Sequence, residues 1–511
     1  MNNETVTLET LIELMTHQQE LLSEKDKTIA YLQEKLDYLI RQKFASSSEK
    51  FPSNQPSLFD VAPSESLPVD EDPDVEKISY VRKKRGSKTT PPDSLPHVRV
   101  EHDLEENEKV CSCGCAMKRI KEVVSHQYDL IPATFQVIDN VRFVYGCECK
   151  CGTAPKTAPL APQVLPRHQV TPSFLATIAV QKFEDALPLV RQAKIYKHRF
   201  GVAFTDTTFS NWMIKASQLW LEALMNRLHA LQLQSSYIQM DETTLQVLKE
   251  KDKKAQSKSY LWLRASHSPY PIVLLHYSPN RSGATAEFLL KGFSGYLQSD
   301  GYAGYNSVAN QEGVTQLGCW AHARRKFVDI TKSGVSDESS KITAKKAVEL
   351  IGKLYGIERE IKDKPPDEKR VIRQEKAKPI CNDIRVWLDA NFFPAQHSGG
   401  ALAKALVYLN NQFAKLIVYL EDGKLSIDNN TAENHIRPIA VGRKNWLFAT
   451  STKGATALAN WYSIIETAKA NNIDPFAYLT YILTQLPIYA KEGKKEGVDL
   501  DPLLPWNVSL G

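Results

Sequence analysis

The sequence predicts a multidomain α+β protein whose largest folded unit is an α/β domain with a mixed β-sheet, interrupted by an all-helical insertion. Three observations predict this fold class. The chain has 511 residues, which is too long for a single hydrophobic core. Strand-like segments begin after Gln234 and then alternate with helix-like segments. Residues from 335 to 420 are charged and helix-like, without a strand signal.

The first 50 residues carry a heptad pattern typical of a coiled coil. Leu8, Met15, Leu22, Ile29 and Leu36 follow one another at intervals of seven, and neither Pro nor Gly interrupts residues 5–42. A single amphipathic helix that packs on its own protein is the alternative. Either structure offers an apolar surface, and we expect a homo-oligomer to form through it.

A polar segment follows, and its composition predicts a disordered linker. Residues 51–74 are rich in Pro and Ser and end in an acidic run. The sign of the charge then reverses in VRKKRGSK at positions 81–88. Arg82, Lys83, Lys84 and Arg85 are suited to a DNA phosphate backbone or minor groove, with a solvated run of charge as the alternative.

Six of the eight cysteines lie in two triplets, CSCGC and CECKC, and this clustering predicts a zinc-binding module. Four thiolates at two points of the chain can enclose a tetrahedral zinc ion and stabilise a module too small to fold alone. Neither triplet has C-x-x-C spacing, so the choice of ligands stays open, although a glycine follows one C-x-C pair in each. The favoured ligands are Cys111, Cys113, Cys149 and Cys151, with Cys115 and Cys147 as alternatives.

The same clustering indicates the compartment. Clustered cysteines in a long chain without a secretion signal are typical of a metal site in a reducing cytoplasm, not of a disulfide framework. The N-terminus is polar and acidic, and no apolar run is long enough for a transmembrane helix. We therefore expect a cytoplasmic protein with no membrane partner. The net charge of +5 says little by itself about nucleic acid.

Residues 172–219 predict helices, including a helix-turn-helix unit. Within ALPLVRQAKIYKHRFGVAFTDTTFSNWMIKA, Gly201 predicts the turn, and Thr205 or Asp206 predicts the N-cap of the second helix. A helix-turn-helix that reads DNA is one interpretation, and a helical hairpin without that role is the other.

Acidic residues occur at three points of the predicted α/β domain. Asp241 in IQMDETT and Asp300 in LQSDGY are each predicted at the end of a strand, and Glu433 lies on a helix that Asp428 or Asn429 could cap. Carboxylates that converge repel each other unless divalent cations such as Mg²⁺ neutralise them. A pair of such ions supports phosphoryl transfer. A turn or capping role is the alternative for each acid alone.

The chain resembles the transposases of the IS66 insertion-sequence family, which belong to the DDE class. Four segments carry the resemblance: SYIQMDETT, YLQSDGYAGYN, GCWAHARRKF and DNNTAENHIRPIAVGRKNWLF. The resemblance implies a ribonuclease H-like core in which Asp241, Asp300 and Glu433 are catalytic and bind two Mg²⁺ (or Mn²⁺) ions. It also implies an enzyme that binds terminal inverted repeats, frees a 3′-hydroxyl and joins it to target DNA.

Further site residues follow from the resemblance. Cys319 and His322 match a C-x-x-H signature of several DDE transposases, and we expect a structural or DNA-end-handling role because two ligands alone do not make a metal site. Trp446 could stack on an unpaired base, with core packing as the alternative. Basic residues beside the acids are expected to hold DNA phosphates, namely Arg324, Arg325, Arg437, Arg443 and Lys444.

The sequence thus predicts a transposase whose partners are transposon-end and target DNA, a second copy of the chain, and accessory proteins of the same element. A non-catalytic zinc and helix-turn-helix regulator and a structure-selective nuclease without strand transfer are the alternatives. The predicted domains are a coiled-coil helix (1–50), a linker with the basic run (51–92), a zinc-binding module (93–165), a helical DNA-binding region (166–233), a catalytic core (234–334 and 421–470), a helical insertion (335–420) and a helical C-terminal segment (471–511).

Overall fold

The structure of the protein is a computed structural model. It describes residues 134–145, 156–333, 337–398, 400–489 and 499–510, together with Lys25. The predicted coiled coil, the linker with its basic run, and the six clustered cysteines lie outside these residues. The elements below belong to a single compact unit.

Eight strands form in the described part of the chain, in a two-stranded sheet and a six-stranded one. The strands are β1 (Val144–Tyr145), β2 (Lys156–Thr157), β3 (Tyr237–Lys249), β4 (Lys258–Ser266), β5 (Ile272–Ser278), β6 (Gly295–Gln298), β7 (Val314–Leu317) and β8 (Ala449–Ser451).

The large sheet is mixed. Its order is β5–β4–β3–β6–β7, and β8 pairs with the C-terminal end of β3. β3, β4 and β5 are antiparallel neighbours, whereas β6 runs parallel to β3 and to β7. The sequence predicts an antiparallel run followed by strands that alternate with helices, and the mixed sheet confirms this prediction.

Helices make up most of the remaining described chain. Short 3₁₀ turns lie at Ala303–Tyr305, Val418–Leu420, Asp501–Leu503 and Pro505–Asn507, and π-helical turns at Ser217–Leu221 and Arg373–Ala377. The α-helices are α1 (Pro172–Phe183), α2 (Leu189–Phe200), α3 (Asp206–Ala216), α4 (Glu222–Gln232), α5 (Gly283–Leu289), α6 (Asn306–Ala309), α7 (Trp320–Lys332), α8 (Glu338–Glu360), α9 (Pro366–Ile372), α10 (Lys378–Ser398), α11 (Gly400–Leu416), α12 (Asn430–Trp446), α13 (Thr452–Ala470) and α14 (Pro475–Tyr489).

Helix α13 covers the sheet at its β5 edge. An edge strand presents unpaired backbone groups, which proteins protect from pairing with other chains. Here the amide of Val273 donates to the hydroxyl of Thr467 at 3.1 Å, and the amide of Leu275 donates to Ser463 at 2.7 Å. The helix is buried almost all round, so it is an integral part of the core.

Residues 338–420 are mostly helical where the structure describes them, with a turn at residues 361–365. Helices α8, α10 and α11 pack on α7 around buried residues that include Leu350, Leu354, Leu388 and Leu406. The apolar residues of α8 recur at helical spacing, which explains why this segment folds as a bundle on one side of the sheet domain.

The two helices of the predicted helix-turn-helix form as α2 and α3. Gly201 ends α2 in the left-handed conformation with φ +72°, and the side chain of Thr205 caps α3 by accepting from the amide of Thr208 at 3.0 Å. Phe209 and Trp212 of α3 are buried. The inner face of α3 is therefore committed to packing, and DNA reading by this pair stays a prediction.

None of the helices in the described ranges combines the length and the apolar character that crossing a membrane requires.

Candidate functional site

Asp241 lies on the central strand of the sheet. The sequence predicts it at a strand end, and this is wrong: it is the fifth residue of the 13-residue β3, opposite Leu263 of β4. The strand continues past the acid because residues 242–246 stay paired with β4 and the C-terminal end of β3 pairs with β8. The pKa of the Asp241 carboxyl is raised to about 8, mainly by burial and also by the negative charges of Glu242, Asp300 and Glu433.

Asp300 lies in a tight turn two residues beyond the end of β6. Its carboxylate accepts a hydrogen bond from the amide of Tyr302 at 2.9 Å, and its carbonyl accepts one from the hydroxyl of Tyr408 in α11 at 2.7 Å. Gly301 has φ +85°, and a side chain there would meet Gln412 of α11 at 3.0 Å. The turn therefore requires glycine, and α11 of the helical insertion packs against it.

Glu433 lies in the first turn of α12, where a carboxylate interacts favourably with the helix dipole. The start of this helix is attached to the strand that carries Asp241. The side chain of Asn429 donates to the carbonyl of Met240 at 2.9 Å, and the backbone amide of Asn429 donates to the sulfur of Cys319 at 3.3 Å. The residue next to Asp241 and the helix of Glu433 are therefore joined directly.

The capping prediction for α12 is partly wrong. Asn429 occupies the N-cap position, but its side chain makes no capping hydrogen bond because it is used to bind Met240. The carboxylate of Asp428 does accept from the amide of Asn430, at 3.2 Å, and also from the side chain of Asn430 at 2.9 Å.

A buried polar cluster lies below the three acids and joins their elements. The Gln239 amide group donates to the side chain of Gln298 at 2.7 Å and to the carbonyl of Asp428 at 3.0 Å. The side-chain amide of Gln298 donates to the carbonyls of Gly318 and Ser426 at 3.0 and 2.9 Å. These bonds connect β3, β6 and the chain that enters α12, so they fix the three acidic segments relative to one another.

Glu242 and Arg281 belong to this site, and sequence reasoning missed both. Successive residues of a strand face opposite sides, so Glu242 points away from Asp241. Its side chain is 1% exposed, pairs with the guanidinium of Arg281 and accepts from the hydroxyl of Tyr305. Arg281 also lies 3.7 Å from the carboxylate of Asp300. Glu242 follows Asp241 directly in the sequence, but no local sequence pattern indicates that Arg281 is its partner.

The predicted DNA-contacting residues fall in different places. Arg325 is exposed and lies 3.4 Å from the Glu433 carboxylate, beside the site. Arg443 donates to the backbone and hydroxyl of Thr244 and lines a cleft of about 410 Å³ with Lys444. Arg437 is exposed and Arg324 is half-buried.

Trp446 is half-buried and packs within the protein. The ammonium of Lys182 lies 5.3 Å from the centre of its ring, and its indole nitrogen is buried. These contacts favour the core-packing alternative over stacking on a base. The buried environment also lowers the pKa of Lys182 to about 8.

The structure adds a third potential metal ligand to the C-x-x-H pair. The ligand atoms of Cys319, His322 and Glu433 all lie within 4.8 Å of one another. The imidazole nitrogen Nδ1 of His322 is 3.6 Å from Oε1 of Glu433. No other group of three such ligands is found in the part of the chain that the structure describes.

Comparisons with protein families match most of the chain. The model described as "Transposase IS66 family" matches residues 167–457, and the "IS66 C-terminal element" matches residues 463–506. The "zinc-finger binding domain of transposase IS66" matches residues 108–151, which contain all six clustered cysteines. A model described as "Transposase C of IS166 homeodomain" matches residues 31–100.

Similar proteins from Sinorhizobium fredii carry no functional description. The chain is 31% identical over 430 residues to the uncharacterized protein y4jD, a match that covers 81% of each chain. It is 32% identical over 426 residues to the uncharacterized protein y4qI, which covers 80% of this chain and 75% of the relative.

Proposed function

The chain belongs to the IS66 transposase family, and from this premise we propose that it is a DNA transposase of the DDE class with a ribonuclease H-like core. In this proposal it binds the terminal inverted repeats of its element, cleaves the DNA at each end and transfers the freed 3′-hydroxyl to target DNA. The family match supports the transposase function, and the hydrogen bonds that join the segments of the three acids support the site, although the ligand atoms of the three acids do not all lie within 4.8 Å of one another.

The observation that carries the proposed site is the set of hydrogen bonds that joins the segments of Asp241, Asp300 and Glu433. Each acid is brought in by a different element. Burial raises the pKa of Asp241, and the charges of Glu242, Asp300 and Glu433 add to this effect. Buried carboxylates without a full set of cationic partners are unfavourable unless they take up protons or bind a cation. The donor set is made of carboxylate oxygens, the ligands that Mg²⁺ and Mn²⁺ prefer, so the residues fit such ions.

Asp241, Asp300 and Glu433 would hold two such ions, which would supply activation of the attacking oxygen and stabilisation of the leaving oxygen in a phosphoryl transfer. The protein's own contribution is to hold the three acids in place. The Gln239–Gln298 hydrogen bond fixes the two strands, Tyr408 holds the turn of Asp300, and Asn429 anchors the helix of Glu433 to β3.

Basic side chains beside this site and further along α12 would hold the DNA backbone. Arg325 lies next to Glu433, and Arg437 and Lys444 are exposed on α12. Contacts of this type position a duplex without reading its sequence. We assign recognition of the terminal repeats to the zinc-binding module, the basic run at 82–85 and the α2–α3 pair, and self-association to the N-terminal heptads.

A single reaction tests the proposal against its alternatives. Purified protein is incubated with labelled terminal-repeat DNA, Mg²⁺ and a target plasmid. Joined product supports the transposase, cleaved but unjoined DNA indicates a nuclease, and retarded but uncut DNA indicates a regulator.

The variants Asp241→Asn, Asp300→Asn and Glu433→Gln assign the site. Each removes one charge and keeps the shape of the side chain, so we expect DNA binding to remain and both cleavage and joining to be lost. Asp389→Asn is the matched control, because Asp389 is an exposed acid on α10 that pairs only with Arg385. Activity of any triad variant equal to that of Asp389→Asn would refute the assignment.

A further inference from the structure

Cys319, His322 and Glu433 form a cluster of mixed ligand chemistry beside the proposed magnesium site. Cys319 is the N-cap residue of α7 and His322 lies in the first turn of that helix, so the C-x-x-H spacing brings both side chains to one end of it. Glu433 comes from the first turn of α12. The three ligand atoms lie within 4.8 Å of one another, although Glu433 is 111 residues from His322 along the chain (433 − 322).

Two of the three atoms have no hydrogen-bond partner among the described residues. Both His322 Nδ1 and Glu433 Oε1 are buried, and they face each other at 3.6 Å, which is too far for a hydrogen bond. A buried polar atom left without a partner costs about 1–3 kcal/mol, so native proteins seldom keep two of them face to face. A cation between them would satisfy both.

Burial raises the pKa of the Cys319 thiol, and two features of its surroundings act in the opposite direction and favour the thiolate. Cys319 is 1% exposed, and its sulfur accepts the backbone amide of Asn429 at 3.3 Å. It also lies at the N-terminus of α7, where the helix dipole favours negative charge. Amide hydrogen bonds and a helix N-terminus both stabilise a thiolate over a thiol.

We propose that Cys319, His322 and Glu433 bind a zinc ion, at a site separate from the cysteine module. A thiolate, an imidazole and a carboxylate are the ligands that Zn²⁺ takes in proteins, whereas Mg²⁺ avoids sulfur. Three protein ligands leave a fourth position open to water. Binding displaces the thiol proton of Cys319 to solvent, since the thiolate is the ligand.

Zinc at this position would determine the orientation of Glu433. With Oε1 held by zinc, Oε2 is the oxygen that remains for other partners, and it now lies 3.4 Å from Arg325. The zinc site itself does not depend on the proposed catalytic function, but this consequence for the acidic triad rests on it.

Zinc content measured on the full-length protein tests the proposal. The protein is purified with zinc, dialysed and compared with Cys319→Ser and His322→Ala. Zinc held by the cysteine module is common to all samples and cancels. We expect each variant to contain one equivalent of zinc less per chain than the unchanged protein. Cys381→Ser is the matched control, because Cys381 is the other buried free cysteine among the described residues and lies in a different helix, α10.

Cobalt substitution gives a second readout. The difference spectrum between the unchanged protein and Cys319→Ser is expected to contain a sulfur-to-cobalt charge-transfer band. If Cys319→Ser fails to fold by circular dichroism, His322→Ala and Glu433→Gln decide the question in the same way. Equal zinc content in the unchanged protein and the folded variants would overturn the proposal. Neither measurement uses DNA cleavage, so a protein that cuts no DNA can still pass this test.

Discussion

Replacing Arg373 by methionine tests how the helical segment is held to the chain that leads into α12. Arg373 is 2% exposed, and its guanidinium makes two hydrogen bonds with the carboxylate of Glu358, at 2.8 and 2.7 Å. It also donates to the backbone carbonyls of Tyr419, Asp422 and Leu425, at 3.0, 2.9 and 3.0 Å. One side chain thus attaches a helix of the segment to the stretch just before α12.

The expected loss follows from what the substitution leaves behind. Removing one partner of a buried ion pair typically costs about 3–5 kcal/mol, because the other charge stays buried without compensation. In Arg373→Met the carboxylate of Glu358 keeps its charge without a partner, and the carbonyls of Tyr419, Asp422 and Leu425 lose their donor. The matched control is Arg385→Met, since the Arg385–Asp389 pair lies on the surface of the same segment. Exposed pairs contribute about 0–1 kcal/mol.

Hydrogen exchange of the amides in residues 338–425 measures the effect locally, and urea unfolding measures it globally. We expect Arg373→Met to lower the free energy of unfolding of this segment by about 3–5 kcal/mol and Arg385→Met to lower it by less than about 1 kcal/mol. Glu358→Gln combined with Arg373→Met should recover part of the loss. Equal effects of the two arginine substitutions would refute the reasoning.

Three further predictions concern the sheet domain. Arg281→Met should lower the free energy of unfolding in urea by about 1.5–3 kcal/mol, because the carboxylate of Glu242 stays buried after losing its charged partner. Adding Glu242→Gln should restore most of the lost stability, and a double variant as unstable as Arg281→Met would contradict the pairing. Gly301→Ala should cost about 1 kcal/mol or more in the same assay and slow DNA cleavage, because φ is +85° and the new methyl group meets α11; unchanged values would contradict the constraint on the turn. Burial, together with the charge of Arg264, lowers the pKa of His276 to about 4, so neutral His276 stabilises the fold above pH 6.5 and this contribution is lost as the pH falls towards 4. The stability difference between the unchanged protein and His276→Gln should therefore shift by about 1–2 kcal/mol between pH 7 and pH 5, and a difference independent of pH would be inconsistent with the depressed pKa.

The sequence predicted the elements of the sheet domain well because their signals are local. β-branched and aromatic runs marked β3, β4 and β5, and helical spacing marked the segment around residues 337–420. The sequence also placed three acids on elements that the structure brings together. Residue pattern alone supported a metal site only weakly, and the family resemblance, which the family models confirm, selected these three.

The errors have a common physical origin in long-range pairing. β3 runs past Asp241 because residues 242–246 stay paired with β4, and its last residues pair with β8, where Ala449 is a partner of Val247 about 200 residues away that no local pattern indicates. The ion pair of Glu242 with Arg281 likewise joins residues 39 apart. Asn429 has the composition of a helix cap, but tertiary contact with Met240 takes its side chain away. Local propensity predicts which hydrogen bonds a residue is able to make, and tertiary packing determines which of them form.

The polar cluster below the acids has a consequence for the order in which the chain folds during synthesis. Gln239 bonds to Asp428, and the two are separated by 189 residues. Because a growing chain emerges from its N-terminus, β3 and β6 leave the ribosome while the chain that enters α12 has not yet been made. Contacts of such high sequence separation form late and slow folding. Truncated chains that end before residue 426 would therefore carry both aspartates on a sheet in which Gln239 lacks the carbonyl of Asp428 and Gln298 lacks that of Ser426, which makes aggregation of incomplete chains an inherent risk of this topology.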